Sequence, residues 1–171
     1  MGTELKSFYA YTDDELTNKL PKGGYHLKAL ELEVGNWENG DPNLNMTTQV
    51  VSGEKAGMFG PRHTWSVEEF VGTNSTSGNE FTITKERNCK DLIRDVRAIR
   101  DGKDIILSQP DSYDEAMLKE IARQIKGDEF TADVTEDKNG WPRIRRFGSM
   151  TEPVKSFNGA EVAKAFNLDD V

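Results

Sequence analysis

The residues best suited to recognition chemistry are concentrated in Asp137-Lys138-Asn139-Gly140-Trp141-Pro142-Arg143-Ile144-Arg145-Arg146-Phe147. This segment sets three arginines and a lysine among aromatic rings, in a chain whose formal net charge is -8. Cations that track phosphates, beside aromatic faces on which bases stack, are the groups a single nucleic-acid strand requires. The same residues also fit an ordinary solvated strand, with the arginines paired to Glu136 and Asp137, and both readings stay open. An acidic chain does not coat nucleic acid over its whole surface, yet it can carry one basic groove.

Catalytic and metal chemistry find less material. One cysteine, Cys89, excludes an internal disulfide, and with only His26 and His63 there is no Cys/His zinc set. Cys89 lies on the apolar stripe of an expected helix, which favours a buried, inert thiol. Neither histidine has a serine or cysteine partner that the sequence alone brings near it. Asp137-Lys138-Asn139-Gly140 starts like a calcium loop but lacks its sixth-position Gly and twelfth-position Glu. Gly53-Glu54-Lys55-Ala56-Gly57 lacks the Gly-Lys-Ser/Thr ending of a phosphate loop. Asp101 and Asp104, flanking Gly102-Lys103, read as a helix-to-loop turn rather than a nuclease metal pair. No enzyme activity, cofactor or metal is expected.

The elements that must position the basic segment follow from periodicity. Glu129 to Val134 alternates apolar and polar residues, and Asn139-Gly140, both tolerant of positive φ, predicts a tight hairpin joining it to the arginine strand. If that strand is regular, Trp141, Arg143, Arg145 and Phe147 share a face. A bulge near Arg145-Arg146 would instead turn Ile144 and Phe147 both inward.

Upstream, Thr12 and Glu15 form a capping box for a short helix to Leu20, and Pro21-Lys22-Gly23-Gly24 breaks it. Tyr25, Leu27 and Ala29 then alternate on one face and Leu30, Leu32 and Val34 on the other, so a bulge is predicted at Ala29-Leu30. Such a bend suits the long first strand of a small closed barrel. A turn-rich loop, Gly35 to Asn43 with Trp37 at its centre, leads to a second strand through Leu44, Met46, Thr48 and Val50. A third strand, Arg62 to Val67, puts His63, Trp65 and Val67 on one face and Arg62, Thr64 and Ser66 on the other.

Gly72 to Asn79 is Gly/Ser-rich and reads as a mobile loop, followed by a short strand at Phe81 to Thr84. Cys89, Leu92, Ile93, Val96 and Ile99 recur at helical spacing up to a Gly102 stop. Ser112 with Glu115 forms a capping box opening a second helix through Leu118, Ile121, Ala122 and Ile125 to Gly127. Asn158 to Phe166 is a weaker helical pattern, and Leu168-Asp169-Asp170-Val171 is an acidic end.

At 171 residues, with no repeat and no linker, one domain is expected. It comprises a barrel core of about 20–150, a helical insertion of about 86–127 and a C-terminal extension of 151–171. The fold class is mainly β with a helical insertion. Three meandering strands, helices and a closing hairpin are the order of a five-stranded Greek-key oligonucleotide/oligosaccharide-binding (OB) barrel, with its helices between the third and fourth strands. That fold binds on the outer face of strands two and three and on the loops joining strands one to two and four to five, here Gly35 to Asn43 and Thr135 to Gly140. The candidate site is therefore Trp37, Arg62, Trp65, Lys138, Trp141, Arg143 and Arg145. Trp65 shares a face with Val67, which favours the core over a stacking platform.

Leu20-Pro21-Lys22-Gly23-Gly24-Tyr25, Val50-Val51-Ser52-Gly53-Glu54-Lys55-Ala56-Gly57, Ile125-Lys126-Gly127-Asp128-Glu129-Phe130 and Gly140 to Phe147 together resemble a family of small bacteriophage OB-fold single-stranded-DNA-binding proteins. The resemblance spans about 20–147 and rests on strand-and-turn patterns. It implies a partner of single-stranded DNA, with RNA as the alternative, during phage-type replication or recombination. It also invites comparison of the acidic C-terminus with tails that recruit replication proteins. The rival expectation is an acidic OB-fold interaction module that inhibits a host protein.

The N-terminus lacks a basic-then-apolar signal pattern, and no run approaches the ~20 apolar residues of a membrane span. The expectation is a protein of the cytoplasm, that of the host cell if phage-encoded.

Overall fold

The computed structural model describes residues 6–10 and 19–150. The expected helices at Thr12 to Leu20 and Asn158 to Phe166, and the acidic end, fall wholly or mostly outside the described residues.

Among the described residues seven strands and two helices follow one another: β1 Gly23–Asn36, β2 Pro42–Val50, β3 His63–Ser66, β4 Phe70–Thr73, β5 Glu80–Ile83, α1 Lys85–Arg100, α2 Glu115–Ile125, β6 Glu129–Glu136 and β7 Pro142–Gly148. Five of the strands form one antiparallel sheet in the order β3-β2-β1-β6-β7, and β4 and β5 form a separate hairpin. The five-stranded sheet curls into a nearly closed barrel. β3 and β7 face each other across a seam filled by Phe147, whose ring lies 5.0 Å from His63, 5.7 Å from Trp65 and 5.5 Å from Phe130.

β1 does the bending. Its first half pairs with β6, Gly23 opposite Val134 through Lys28 opposite Glu129, and from Leu27 onward it pairs with β2. The β1–β2 register skips Leu30, which is the expected bulge: an unpaired residue bends the strand and adds twist, so one chain serves both halves of the barrel. Leu27 and Ala29 before the bulge are fully buried, and Leu32 and Val34 after it pack against the same core.

A second bulge lies in β7. Val134 pairs with Ile144 and Asp133 with Arg146, which makes Arg145 the extra residue of the bulge. Ile144 and Phe147 consequently both reach the core, the second of the two arrangements open from the sequence.

The helices close the barrel. α1 begins at Thr84, whose hydroxyl accepts the Arg87 N–H at 3.2 Å. Its stop falls on Asp101 rather than Gly102: Asp101 takes the left-handed conformation at φ 52° and its N–H bonds back to Arg97 and Ala98, which a short polar side chain tolerates. For α2 the N-cap is Asp114, not Ser112. The Asp114 carboxylate accepts the Met117 N–H at 3.0 Å, and Ser112 instead closes a turn onto Gln109. Cys89, Leu92, Val96 and Ile99 of α1 and Met117, Leu118, Ile121 and Ile125 of α2 are buried in the common core.

Arg100 ties the insertion together. It donates to the carbonyls of Gln124 and Asp104 at 2.8 and 2.9 Å and to Asp128 at 3.0 Å, linking both helix ends to the residues entering β6.

Gly72 to Asn79, expected to be a mobile loop, spans the end of β4 and a hydrogen-bonded turn. Asn74 Oδ1 accepts the N–H groups of Thr76 and Ser77, and the Asn74 N–H donates to the Asn79 carbonyl at 2.8 Å. The Asx turn makes the Asn/Ser-rich stretch a hairpin tip. No helix among the described residues is long and apolar enough to cross a membrane.

Candidate functional site

The two loops singled out by the sequence have the same construction. In one, the Trp37 N–H donates to the Asp41 carbonyl and the Gly40 N–H to the Trp37 carbonyl; in the other, Asp137 and Gly140 make the matching bonds with Trp141 and Asp137. Each is a three-residue hairpin loop ending in a glycine with positive φ, 93° at Gly40 and 81° at Gly140. The two-residue turn expected at Asn139-Gly140 is thereby corrected. Asn139 keeps negative φ because Asp137 Oδ1 accepts the N–H groups of Asn139 and Trp141, at 2.8 and 3.0 Å, and pins the wider loop.

Around the second loop the basic residues gather. Trp141 is 55% exposed, and the Lys19 ammonium stands 4.2 Å from the centre of its ring. Backbone hydrogen bonds, chiefly from Trp141, hold the Asp137 carboxyl below the usual range, helped by the nearby charges of Arg143 and Lys19. Arg143 and Arg145 are both exposed, Arg145 as the extra residue of the β7 bulge. Lys138 extends toward the tip of the β4–β5 hairpin, its ammonium 3.4 Å from Ser75 Oγ.

The remaining candidates lie elsewhere. Trp65 is 3% exposed, and its indole N–H donates to Asp95 Oδ2 at 2.9 Å, so it offers no face on which a base can stack. It is a core residue because β3 turns it, like Val67, into the barrel. Arg62 is exposed at the entry to β3, and no described contact joins it to Lys138 or Arg143. Trp37 is 45% exposed with its N–H held by Ser66 Oγ at 3.0 Å, but it lines a cleft with Glu38, Glu68, Glu69 and Phe70. Carboxylates lining that cleft repel phosphate, so the two exposed tryptophans sit in opposite electrostatic surroundings.

The β4–β5 hairpin connects these surroundings. Its base, at Phe70, shares the Trp37 cleft, and its tip, at Ser75, meets Lys138. The four residues of β4 between them span roughly 13 Å at ~3.3 Å each. Phe70, Gly72, Phe81 and Ile83 share one hairpin face, and the two phenylalanine rings lie 6.0 Å apart. Gly72 leaves room for both rings in their present positions: a Cβ would stand 2.6 Å from Phe81 Cζ and 2.7 Å from Phe70 Cε1, and the rings would have to shift.

Sequence reasoning missed Lys19, Ser75 and the exposed face of Phe70 and Phe81. Nothing local marks Lys19, which meets Trp141 only through the β1–β6 pairing. The hairpin was signalled by aromatic residues on both sides of an Asn/Ser-rich turn, a pattern that composition alone masked as a loop.

Two histidines complete the inventory. Burial between Trp65 and Phe147, with Arg143 and Arg94 nearby, pushes the His63 imidazole down to about 4. His26 does find a serine: Ser52 Oγ is 3.3 Å from Nδ1, with Glu129 Oε1 2.7 Å from Nε2. The contacts face solvent, where water competes for each, and they tie β1 to β6 and to the turn after β2. Burial raises the Cys89 thiol above its ordinary value, which keeps it protonated and unreactive. Among the described residues no group of three or more His, Cys, Asp or Glu side chains is placed to hold a metal.

Scanned against protein-family models the sequence matches none, and a search of curated proteins finds no match.

Proposed function

We propose that the protein binds single-stranded DNA at the β6–β7 end of the barrel, without strong sequence preference, in phage-type replication or recombination within the cytoplasm. One observation carries the reading: in a chain of net charge -8, Lys19 stands over the exposed ring of Trp141, Lys19 and Arg143 both act on Asp137 of the same loop, and Lys138 extends from that loop toward Ser75. An aromatic face contributes ~1–3 kcal/mol per stacked base, and cations alongside it release counterions from the backbone. The sheet order β3-β2-β1-β6-β7, with both helices ahead of β6, supports an OB-like Greek-key barrel as the scaffold. On that scaffold Trp141, Lys138, Arg143 and Arg145 bind the strand. Trp65 supports them from the core, and Trp37 is set apart by its carboxylates. Recruitment of replication proteins would fall to the acidic C-terminus, outside the described residues.

The test is a tryptophan-fluorescence titration with oligo-dT at several salt concentrations. Contacts to three or four phosphates give a slope of log K against log salt of about -2 to -3. Arg143→Glu weakens binding by at least roughly tenfold and flattens that slope. Absence of quenching by micromolar strand at low salt, or an unchanged affinity in Arg143→Glu, overturns the reading.

A further inference from the structure

The cleft at the base of the β4–β5 hairpin pairs aromatic surface with negative charge. Trp37 and Phe70, 45% and 50% exposed, form its apolar surface, and Glu38, Glu68 and Glu69 line it beside Ser66. Its volume of about 350 Å³ is at the small end of ligand clefts, ~300–1,000 Å³. Glu68 is paired with Lys85, whereas among the described residues Glu38 and Glu69 have no ion-pair partner. We propose that this cleft is a docking site for a cationic side chain, arginine or lysine, presented by a partner protein.

The occupant follows from charge complementarity. A cation over an indole or phenyl face is attracted by the ring quadrupole, more strongly as water leaves, and two uncompensated carboxylates add Coulomb attraction. A phosphodiester strand meets the same carboxylates as repulsion. The site is also preorganised: the Ser66 hydroxyl fixes the indole at 3.0 Å, and the Trp37–Asp41 loop is closed by its own backbone hydrogen bonds. Little side-chain entropy is therefore lost on binding. The cleft stands at the opposite end of the hairpin from Trp141, so it does not depend on the nucleic-acid reading.

The experiment uses the full chain with Trp141→Phe, in which Trp37 is the exposed indole and Trp65 is buried. The probe is an acetylated, amidated (Gly-Arg)3 peptide, with (Gly-Glu)3 and oligo-dT as comparisons and fluorescence as the readout. The arginine peptide quenches and saturates, and (Gly-Glu)3 and oligo-dT do not. Adding Glu38→Gln with Glu69→Gln weakens the midpoint at least fivefold, and adding Phe70→Ala abolishes saturation. A charge-matched control away from the cleft, Glu54→Gln with Asp111→Asn, shifts the midpoint less than twofold. Circular dichroism confirms that each variant is folded. Overturning results are no quenching by the arginine peptide, an equal loss in the charge-matched control, or saturable quenching of Trp37 by oligo-dT, which would assign the cleft to nucleic acid.

Discussion

The indole Nε1 of Trp65 on β3 donates a 2.9 Å hydrogen bond to Oδ2 of Asp95 on α1, and Asp95 is itself 4% exposed. A tryptophan that shares the barrel core and a carboxylate buried in a helix are thus each other's polar partners. The bond fixes where α1 sits across the seam between β3 and β7. It also explains why Trp65, in a strand next to the candidate site, contributes to the fold rather than to ligand contact.

Burial raises the Asp95 carboxyl above its ordinary value, and the hydrogen bond from Trp65 only partly offsets it. For a raised carboxyl the stabilising contribution is fullest in acid and is lost as pH rises through the folded value. Asp95→Asn keeps an acceptor for the indole without the charge, and its stability at pH 7 is expected to match or exceed that of the parent in urea unfolding. Asp95→Leu strands the indole N–H and costs about 1–3 kcal/mol.

His63 gives the opposite pH trend. Its folded value of about 4 lies below the unfolded 6.5, so its contribution is present above pH 6.5 and disappears as pH falls toward 4. At 1.36 kcal/mol per pH unit the loss amounts to roughly 3 kcal/mol. Urea unfolding of the parent and of His63→Gln at a series of pH values checks this. The difference between the two narrows steadily between pH 6.5 and 4 as protonation of the unfolded chain penalises only the parent.

Gly60 and Gly72 are both confined by side chains, with different consequences. A Cβ at Gly60 collides with Thr48 Oγ1, which is buried and donates to the Pro61 carbonyl at 2.9 Å, and it approaches Leu27 Cδ2 to 3.2 Å. Gly60→Ala is expected to cost about 1–3 kcal/mol by overpacking the barrel. Gly72→Ala displaces only the exposed rings of Phe70 and Phe81, so thermal unfolding changes by less than about 2 °C while the arginine-peptide midpoint at the Trp37 cleft weakens.

The Arg100–Asp128 pair, mostly shielded from solvent, supports both helix ends. Removing the carboxylate in Asp128→Ala leaves the guanidinium with its carbonyl acceptors alone. We expect a loss of roughly 2–3 kcal/mol in denaturant unfolding, below the ~3–5 kcal/mol of a fully buried pair because carbonyl bonds remain.

Much of the architecture was legible from neighbouring residues. The phase slip at Ala29-Leu30 located the β1 bulge, the helical spacing from Cys89 to Ile99 located α1, and the alternation of Leu44 to Val50 located β2 with its inward face. Errors arose where two local devices competed. Ser112 and Asp114 both suit an N-cap, and packing of Met117 and Leu118 into the core selected Asp114. Asn139-Gly140 suits a two-residue turn, but Asp137 captured two backbone N–H groups and widened it. The Gly/Ser-rich stretch from Gly72 read as a loop because composition outweighed the aromatic pairing of Phe70 and Phe81.

The candidate site was the least legible part, since its members are joined by register and not by proximity in the chain. By itself the sequence determined periodicity, bulge, turn positions and the local excess of arginine over carboxylate, because these depend on residues a few positions apart. Tertiary structure alone decided that Lys19 covers Trp141, that Lys138 meets Ser75, and that Trp37 stands among glutamates. Each of these pairings depends on which strands lie side by side and where a bulge shifts the register, and one skipped residue exchanges the face a side chain presents.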